Sequence, residues 1–400
     1  MKRIFLDHAS SSPLTKAAAK AYAKALPLFG NPSAVHSEGR AARAAITAAR
    51  VQTAAALSVK PDELIFTSGG TEANNLAIVG VVRALRREGV PYAKMHCITS
   101  SIEHASVLET FSILEEDGVR VTYVDPGTDG VIRGTSVLEH ITPETVIISL
   151  AHVNSETGTI QPIPELGADL LKLKKGFDSA FAKVAPGAPF PLLHVDAAQS
   201  PLYLDASPHA LRADMVTYDA QKIGGPKGVG ILYRDFSVPL KAVTGGGTQE
   251  RSLRPGTENT PAIVAAGAAF QTMGKDRKKL SKKVAALRDH LVKEVMTLVP
   301  GALLLGSATR RIANNAFFVI PGVDGDYLSV TMDSLGVSVS PRSACVGSGG
   351  GTSHVAFVLT KNEEYARSTI RFTLGPTTAK ADVQAAVRAL RKALSISKTR

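Results

Sequence analysis

Short runs of β-branched and other apolar residues alternate with longer stretches of helical periodicity from residue 64 onward. The runs predict seven strands, at residues 64–67, 95–99, 120–124, 146–150, 192–195, 215–218 and 230–233. This alternation is typical of an α/β fold whose mainly parallel sheet is covered by helices on both faces. We therefore expect a ligand site at the carboxyl ends of the strands.

The flanking patterns predict a second, smaller domain. Alanine-rich periodic stretches at 16–29 and 39–57 predict two helices. After about residue 262 come a long helix, strand-like segments at 315–320 and 368–374, and a terminal helix. A chain of 400 residues also exceeds the usual size of one hydrophobic core. We predict a large domain over 16–261 and a small α+β domain from 1–15 and 262–400. Residues 172–191 are predicted to form an extended surface connection.

Composition narrows the class of protein. Apolar residues make up 44% and charged residues 20%, as in ordinary globular proteins. No apolar run reaches the roughly 18 residues that a membrane span needs, and the chain is predicted to be cytoplasmic. The net charge of +11 is spread along the chain, and its densest run, 275–283, is predicted to be a solvated helix face. Direct binding of nucleic acid is not expected, and no metal site is predicted.

Lys222 and Asp196 are the first candidates for chemistry. Lys222 stands between an apolar strand and the glycine-rich turn that runs to Gly230, and Asp196 ends another apolar strand. A lysine amine that forms a Schiff base and a carboxylate that pairs with a pyridinium nitrogen are what pyridoxal 5'-phosphate (PLP) requires of a protein. A plain surface lysine is the alternative.

Four further polar groups follow predicted strands, and each allows two interpretations. Gly70 and Thr71 could bind a phosphate at a helix N-terminus or simply cap that helix. His104 could stack on a cofactor ring or cap the next helix. The polar cluster at residues 151–161 could contact a cofactor ring oxygen or a substrate carboxylate, or form a hydrogen-bonded loop. Arg371, within an apolar strand, could bind a substrate carboxylate or make an internal salt bridge.

The two cysteines exclude a disulfide framework. Cys97 lies in a predicted buried strand, where a thiol acts as a small apolar group. Cys345 lies in a glycine-rich stretch, 343–354, that is predicted to be flexible. A thiol in such a loop has little to pack against, so we interpret Cys345 as reactive.

Together these motifs resemble the cysteine desulfurases of the PLP-dependent class V aminotransferase family (fold type I). The matching pieces follow the family order over nearly the whole chain: Phe5-Leu-Asp-His-Ala, Gly30-Asn-Pro-Ser, Phe66-Thr-Ser-Gly-Gly-Thr-Glu-Ala-Asn-Asn, Glu103-His, His152-Val-Asn, Glu156-Thr-Gly-Thr-Ile-Gln-Pro, His194-Val-Asp-Ala-Ala-Gln, Lys222-Ile, Gly225-Pro-Lys-Gly-Val-Gly, Arg254-Pro-Gly-Thr-Glu-Asn, Ser343-Ala-Cys and Ile370-Arg-Phe-Thr-Leu-Gly. One piece alone is a weak signal, whereas the ordered set is specific.

The resemblance implies a role for each matching residue. Lys222 would hold PLP as a Schiff base, and Cys345 would take the substrate sulfur as a persulfide. The remaining implied contacts are ring stacking by His104, the pyridinium nitrogen by Asp196, the phenolic oxygen by Gln199, the phosphate by Gly70, Thr71, Gln221 and, from the second subunit of a homodimer, Thr257, and the substrate by Asn154, Ser155 and Arg371.

Three positions depart from the family pattern. The family usually has Asn where Ser155 stands, His where Gln221 stands, and a phosphate-binding hydroxyl where Asp219 stands. A carboxylate about 4 Å from a phosphate would be repelled by about 4 kcal/mol at an effective dielectric constant of about 20. We therefore expect Asp219 either to turn away toward a cation or hydroxyl, or to be held protonated, and PLP to be lost more easily than is usual for the family.

The function that the resemblance implies is conversion of L-cysteine to L-alanine by a homodimer. The sulfur on Cys345 would then pass to an acceptor protein, an iron–sulfur scaffold or a sulfur relay that serves cluster assembly or tRNA thiolation. The alternatives are selenocysteine lyase or aminotransferase chemistry on the same scaffold, and a non-catalytic sulfur-pathway binding protein.

Overall fold

The computed structural model describes residues 3–274, 276–342 and 351–397. Within these ranges the helices are α1 (Lys16–Ala25), α2 (Ser37–Leu57), α3 (Gly70–Arg87), α4 (Ala105–Glu116), α5 (Gly134–Leu138), α6 (Ile163–Lys174), α7 (Pro208–Leu211), α8 (Gln249–Ser252), α9 (Thr260–Thr272), α10 (Arg277–Leu298), α11 (Gly325–Ser334), α12 (His354–Thr360), α13 (Glu363–Arg367) and α14 (Lys380–Ser397). The strands are β1 (Ile4–Phe5), β2 (Leu64–Thr67), β3 (His96–Ser100), β4 (Arg120–Val124), β5 (Thr145–Ala151), β6 (Leu192–Asp196), β7 (Met215–Asp219), β8 (Gly230–Arg234), β9 (Leu303–Leu304), β10 (Asn315–Val319), β11 (Val337–Ser338) and β12 (Thr369–Thr373).

The central sheet joins seven strands of the described chain in the order β2-β8-β7-β6-β5-β3-β4. Strands β7, β6, β5, β3 and β4 are parallel, whereas β8 is antiparallel to both of its neighbours. Every predicted strand of this sheet is present, and the predicted mainly parallel α/β fold is confirmed. Both faces of the sheet are buried in apolar clusters, which explains why these strands are continuous apolar runs rather than alternating ones.

A second set of elements forms a separate apolar cluster. Strands β9, β10 and β12 make a small antiparallel sheet, against which α10, α11 and α14 pack. The N-terminal strand β1 pairs with β11 of this set, as expected for a small domain that includes the first residues.

Helix α9 packs on α1 and α2, and Ala265, Ala266 and Phe270 are buried in the cluster beneath the large sheet. Gly267 lies so close to Ala49 of α2 that a Cβ atom there would be 2.9 Å from Ala49 Cβ. The residues directly after the predicted boundary at 261 therefore belong to this packed surface, and the division of the chain into two domains stays a prediction.

The connection before β6 differs from its prediction. Helix α6 continues to Lys174, and the segment that follows places Phe181 and Phe190 in the core with 2% and 3% exposure. The two rings contact edge to edge with centroids 5.3 Å apart. The prediction of an extended surface connection over 172–191 is therefore confirmed only in part. Residues 175–189 are mostly exposed or half-buried, whereas 172–174 belong to α6, and Phe181 and Phe190 anchor the glycine- and proline-rich stretch to the core.

The ends of the first helices follow from local sequence. Thr15 accepts a hydrogen bond from the Ala18 N–H at the start of α1, and the helix stops just before Pro27. Helix α2 ends at Ser58, which has a left-handed φ of 58°. No helix in the described ranges is long and apolar enough to cross a membrane.

Candidate active site

A cavity of about 170 Å³ opens at the carboxyl ends of β5, β6 and β7. It is lined by most of the predicted site residues, namely Gly70, Thr71, His104, Asn154, Ser155, Asp196, Gln199, Gln221, Lys222 and Arg371. These residues come from six separate stretches of the chain. Their convergence agrees with the expectation that ligands of such sheets bind beyond the strand ends.

Asp196, the last residue of β6, is held in a fixed orientation. Its Oδ1 accepts a hydrogen bond of 2.9 Å from Ala198 N–H, and its Oδ2 accepts one of 2.9 Å from the Asn74 amide. Asn74 follows Gly70 by one helical turn, so α3 directs it toward the same cavity. The carboxylate thus faces the cavity with both oxygens oriented by neighbouring groups.

His104 is linked to Asp196 through two side chains. The Asn74 amide donates its second hydrogen to Ser106 Oγ at 2.9 Å, and Ser106 Oγ lies 2.8 Å from His104 Nδ1. Ser106 N–H also donates to Nδ1, so this nitrogen is an acceptor and the neutral ring carries its proton on Nε2. His104 therefore caps α4, as one of its two interpretations predicted, and it also lines the cavity; stacking on a cofactor ring stays a prediction.

Glu103 lies directly behind this network. Its side chain is buried and is hydrogen-bonded to Ser100 Oγ at 2.5 Å. Burial raises the pKa of Glu103 to about 8, and the nearby Asp196 carboxylate adds to the shift. At neutral pH the Glu103 carboxyl is therefore mostly protonated and carries little charge.

The amine of Lys222 lies over the N-terminal strap, which we define as residues 7–12. Lys222 Nζ donates to the carbonyl oxygens of Ala9 at 2.8 Å and Ser10 at 2.5 Å. Gln199 Nε2 donates to the same Ala9 oxygen at 3.0 Å. The turn after Lys222 needs glycine, because Gly224 has a φ of 79° and a Cβ atom there would be 2.8 Å from Thr15 Cγ2.

Asp219 occupies an unexpected place at the N-terminus of α3. A Cβ atom at Gly70 would be 3.5 Å from Asp219 Oδ2, so this carboxylate adjoins the predicted phosphate site. Its Oδ1 accepts from Gln221 N–H at 3.2 Å and its Oδ2 from the Gln221 amide at 3.0 Å. The first alternative, that Asp219 turns away toward a cation or hydroxyl, is therefore wrong, since its side chain lines the cavity and accepts amide hydrogens. The second alternative, a protonated carboxyl, stays a prediction.

The loop after β5 has a structural core and one face on the cavity. The Asn154 oxygen accepts from Glu156 N, Thr157 N and Thr157 Oγ1, and the Asn154 amide donates to Ile102 O at 2.8 Å. Asn154 thus lines the cavity, but its hydrogen bonds serve chiefly to close its own loop. Ser155 contributes its carbonyl oxygen to the Arg371 guanidinium at 2.8 Å.

Arg371 projects from β12 with only 1% of its side chain exposed. Besides Ser155, it contacts Asp7 Oδ1 at 3.2 Å and Ser10 Oγ at 3.0 Å through Nη2. The internal salt bridge that was one interpretation of Arg371 is therefore present. Its buried Nε has no hydrogen-bond partner among the described residues, so a donor remains for an arriving acceptor.

Of the predicted site residues that the structure describes, Thr257 is not part of this cavity lining. Thr257 is exposed on the segment between α8 and α9, and its predicted contribution from a second subunit stays a prediction. Cys345 lies outside the described residues.

Several residues of the site were given no role from the sequence. Ser10, Asn74 and Ser106 line the cavity, after β1, one turn into α3 and at the start of α4, and Asp7 contacts Arg371 without lining the cavity. Asp7 and Asn74 lie inside motifs shared with the family. The usable signal was a run of polar residues directly after a strand at residues 7–12.

The fold and this cavity point to one protein family, and the model of that family matches the chain. The model described as aminotransferase class V matches residues 4–386. The chain belongs to the class V aminotransferase family.

Curated relatives place the chain within that family more closely. The cysteine desulfurase IscS of Dictyoglomus turgidum is 37% identical over 96% of this chain and 92% of its own length. The protein of the same name from Azotobacter vinelandii is 36% identical over 96% of this chain and 91% of its own length.

Solved structures share the fold over nearly the whole chain. A NifS-like protein superposes with a TM-score of 0.86 and 28% identity, covering 98% of this chain and 100% of its own. A structure titled SspA in complex with cysteine superposes with a TM-score of 0.76 and 32% identity, covering 94% of this chain and 100% of its own.

Proposed function

We propose that this protein is a PLP-dependent cysteine desulfurase that converts L-cysteine to L-alanine and holds the sulfur on Cys345 as a persulfide. The observation that carries the proposal is the convergence of Lys222, Asp196, His104 and Arg371 on one cavity. The named activity of the curated relatives supports it.

The residues present fit PLP at three of its functional groups. Lys222 offers an amine to the aldehyde, Asp196 a carboxylate to the ring nitrogen, and Gln199 an amide to the phenolic oxygen. The N-terminus of α3 at Gly70 and Thr71 would receive the phosphate, helped by Gln221 and by Thr257 of a second subunit. Among the described residues that line the cavity, the Asp219 carboxylate lies at that end and opposes an anion.

When bound, PLP supplies an aldehyde that condenses with amines and a ring that accepts an electron pair from the substrate α-carbon. Lys222 would hold the cofactor and then move a proton at that carbon with its freed amine. Asp196 would keep the ring nitrogen protonated, and His104 would stack on the ring. Arg371, with Asn154 and Ser155 beside it, would bind the substrate carboxylate.

Cys345 would attack the substrate sulfur. The bond between Cys345 and the substrate sulfur would form as the bond between that sulfur and the β-carbon breaks. The electron pair of the broken bond would stay on the β-carbon, which would take up a proton to give alanine, so no outside oxidant is needed. The described residues on both sides of the cysteine segment contact Arg371 or neighbours of residues that line the cavity, and this proximity supports the role of Cys345. Ser340 is paired to Arg371 through backbone hydrogen bonds, while Ser353 Oγ donates to Glu156 at 2.5 Å and His354 contacts Ser101 O at 2.6 Å.

The direct test is to incubate the PLP-loaded protein with L-cysteine and a reductant. Alanine and sulfide should form in equal amounts. Transfer of the amino group without sulfide would instead indicate an aminotransferase, and rapid turnover of selenocysteine with none of cysteine would indicate a lyase for that substrate. A visible absorbance without either product would indicate a binding protein. We further propose a homodimer and a protein sulfur acceptor, which size measurement and persulfide trapping would test.

Replacing Cys345 with serine should abolish accumulation of protein persulfide, because a hydroxyl cannot hold sulfur at that oxidation level. Substrate should still change the PLP absorbance, since Lys222 and Arg371 are intact. Alkylation of persulfide followed by peptide mapping measures the outcome. Cys97→Ser is the matched control, because Cys97 is fully buried in β3 and burial raises the pKa of its thiol well above the usual range. Normal persulfide formation in Cys345→Ser would contradict the proposal.

Replacing Asp219 with serine should tighten PLP binding by about tenfold or more. The change removes a carboxylate that adjoins Gly70, and carboxylate–phosphate repulsion is worth about 4 kcal/mol at about 4 Å and an effective dielectric constant of about 20. Titration of the PLP-free protein, followed by absorbance, measures the affinity. Asp235→Ser also removes one negative charge but lies outside the cavity, and should leave the affinity unchanged. Weaker binding in Asp219→Ser would mean that this carboxylate supports the site through Gln221.

A further inference from the structure

The hydrogen bonds of Arg371 leave few ways for a ligand carboxylate to reach it. A guanidinium has five N–H donors, one on Nε and two on each terminal nitrogen. Here Nη2 donates to two acceptors inside the protein, Asp7 Oδ1 at 3.2 Å and Ser10 Oγ at 3.0 Å, which are themselves 2.8 Å apart. Nη1 donates one hydrogen to Ser155 O at 2.8 Å. Bidentate binding of a carboxylate engages two neighbouring nitrogens, and Nη2 belongs to both possible pairs, Nη1–Nη2 and Nε–Nη2. A ligand that binds in this way must therefore compete with Asp7 and Ser10 for Nη2.

Asp7 is held in place by the small domain and by its own strap. It forms a backbone bridge with Thr373 on β12, and Ala9 N–H donates to Thr373 Oγ1 at 2.9 Å. Ser10 Oγ donates to Asp7 Oδ1 at 2.8 Å while accepting from Arg371. The Asp7 carboxylate is therefore held by hydrogen bonds where it contacts the guanidinium, unlike a mobile side chain on the surface.

The Asp7–Arg371 ion pair also offsets the desolvation cost of a buried charge. The Arg371 side chain is 1% exposed and that of Asp7 19% exposed. A buried guanidinium without a counter-ion would carry a large desolvation cost, so Asp7 neutralises it. A ligand carboxylate would take over this neutralising role. Exchange of one carboxylate for another gives much less binding free energy than capture of a carboxylate by an unpaired arginine would.

We propose that Asp7 is an internal competitor for the substrate carboxylate, and so a specificity-determining residue of this cavity. This inference rests on the proposed function, in which Arg371 binds the carboxylate of cysteine. A carboxylate with no other contacts displaces Asp7 poorly, whereas an amino acid that is also held through its amino group displaces it. The cavity thereby discriminates against simple carboxylates that would otherwise occupy Arg371.

The test is calorimetric binding of 3-mercaptopropionate, which is cysteine without its amino group, to the PLP-loaded protein. Its amide, 3-mercaptopropionamide, is the neutral control ligand. In Asp7→Asn the dissociation constant for the carboxylate should fall about tenfold, which corresponds to about 1.4 kcal/mol, with no change for the amide. Asp7→Glu keeps the charge and should show no such tightening. Asp333→Asn is the matched control, because it breaks the Arg3–Asp333 ion pair of the same N-terminal segment, away from the cavity.

The outcomes separate this inference from the proposed function. Unchanged or weaker binding of the carboxylate in a folded Asp7→Asn protein would overturn the competitor role, and would show that Asp7 positions Arg371 for the ligand. If Asp7→Asn does not unfold cooperatively, Asp7→Ser provides the same comparison. Arg371→Gln should weaken binding of the carboxylate at least as strongly as Asp7→Asn tightens it. Insensitivity to Arg371→Gln would remove the basis of both proposals.

Discussion

Replacing Lys222 with alanine is expected to lower the rate of alanine formation by about 10⁴-fold or more. The amine is asked both to hold the cofactor and to move a proton at the substrate α-carbon, and positioned proton transfer alone contributes about 10² to 10⁴-fold. Lys222 Nζ lies on the floor of the cavity, within 2.8 Å of Ala9 O and 2.5 Å of Ser10 O. Single-turnover measurement of alanine is the direct readout.

Lys227 is the matched control for this prediction. It lies five residues farther along the same turn, is exposed, and does not line the cavity. Lys227→Ala should therefore keep the wild-type rate. Borohydride reduction of the PLP-loaded protein, followed by peptide mapping, should put the pyridoxyl group on Lys222. A label on any other lysine would refute the assignment, whatever the rates of the variants.

Replacing Asp196 with asparagine should lower turnover by about 10- to 100-fold. The substitution keeps the shape of the side chain but removes the negative charge that would pair with the ring nitrogen. A hydrogen bond to a charged group is worth about 1.5–3 kcal/mol, and each 1.36 kcal/mol corresponds to a factor of ten in rate. The bound cofactor should also show a changed visible spectrum, because the ring nitrogen would lose its proton more readily.

Asp205→Asn tests whether loss of a carboxylate by itself explains such a result. Asp205 is exposed and lies 3.7 Å from the Arg277 guanidinium, outside the cavity. It should keep both the rate and the spectrum of the wild-type protein. If Asp196→Asn retained full activity with an unchanged spectrum, the carboxylate would instead serve to orient Asn74 and the loop at Ala198.

Strands were the part of the fold most open to prediction. The buried parallel strands are unbroken apolar runs, and such runs are visible in the sequence without knowledge of the neighbours. Their order was not visible in this way. The insertion of β8 between β2 and β7, antiparallel to both, depends on long-range pairing such as Phe66 with Ile231. Helix α9 shows the same limit, because burial of its alanine-rich residues depends on packing against α1 and α2, which are distant in the sequence.

The sequence by itself determined the seven strands, the type of fold, and the identity of Lys222, Asp196, His104 and Arg371 as candidates. Each of these four lies in or just after an apolar run or strand, and local chemistry marks it. The tertiary structure alone decided what these groups contact. Arg371 meets Asp7 across 364 residues, Lys222 meets the carbonyl oxygens of the strap, and Asp219 stays beside Gly70. These contacts arise because strand order and the docking of the N-terminal segment bring distant residues together, and no local pattern encodes either.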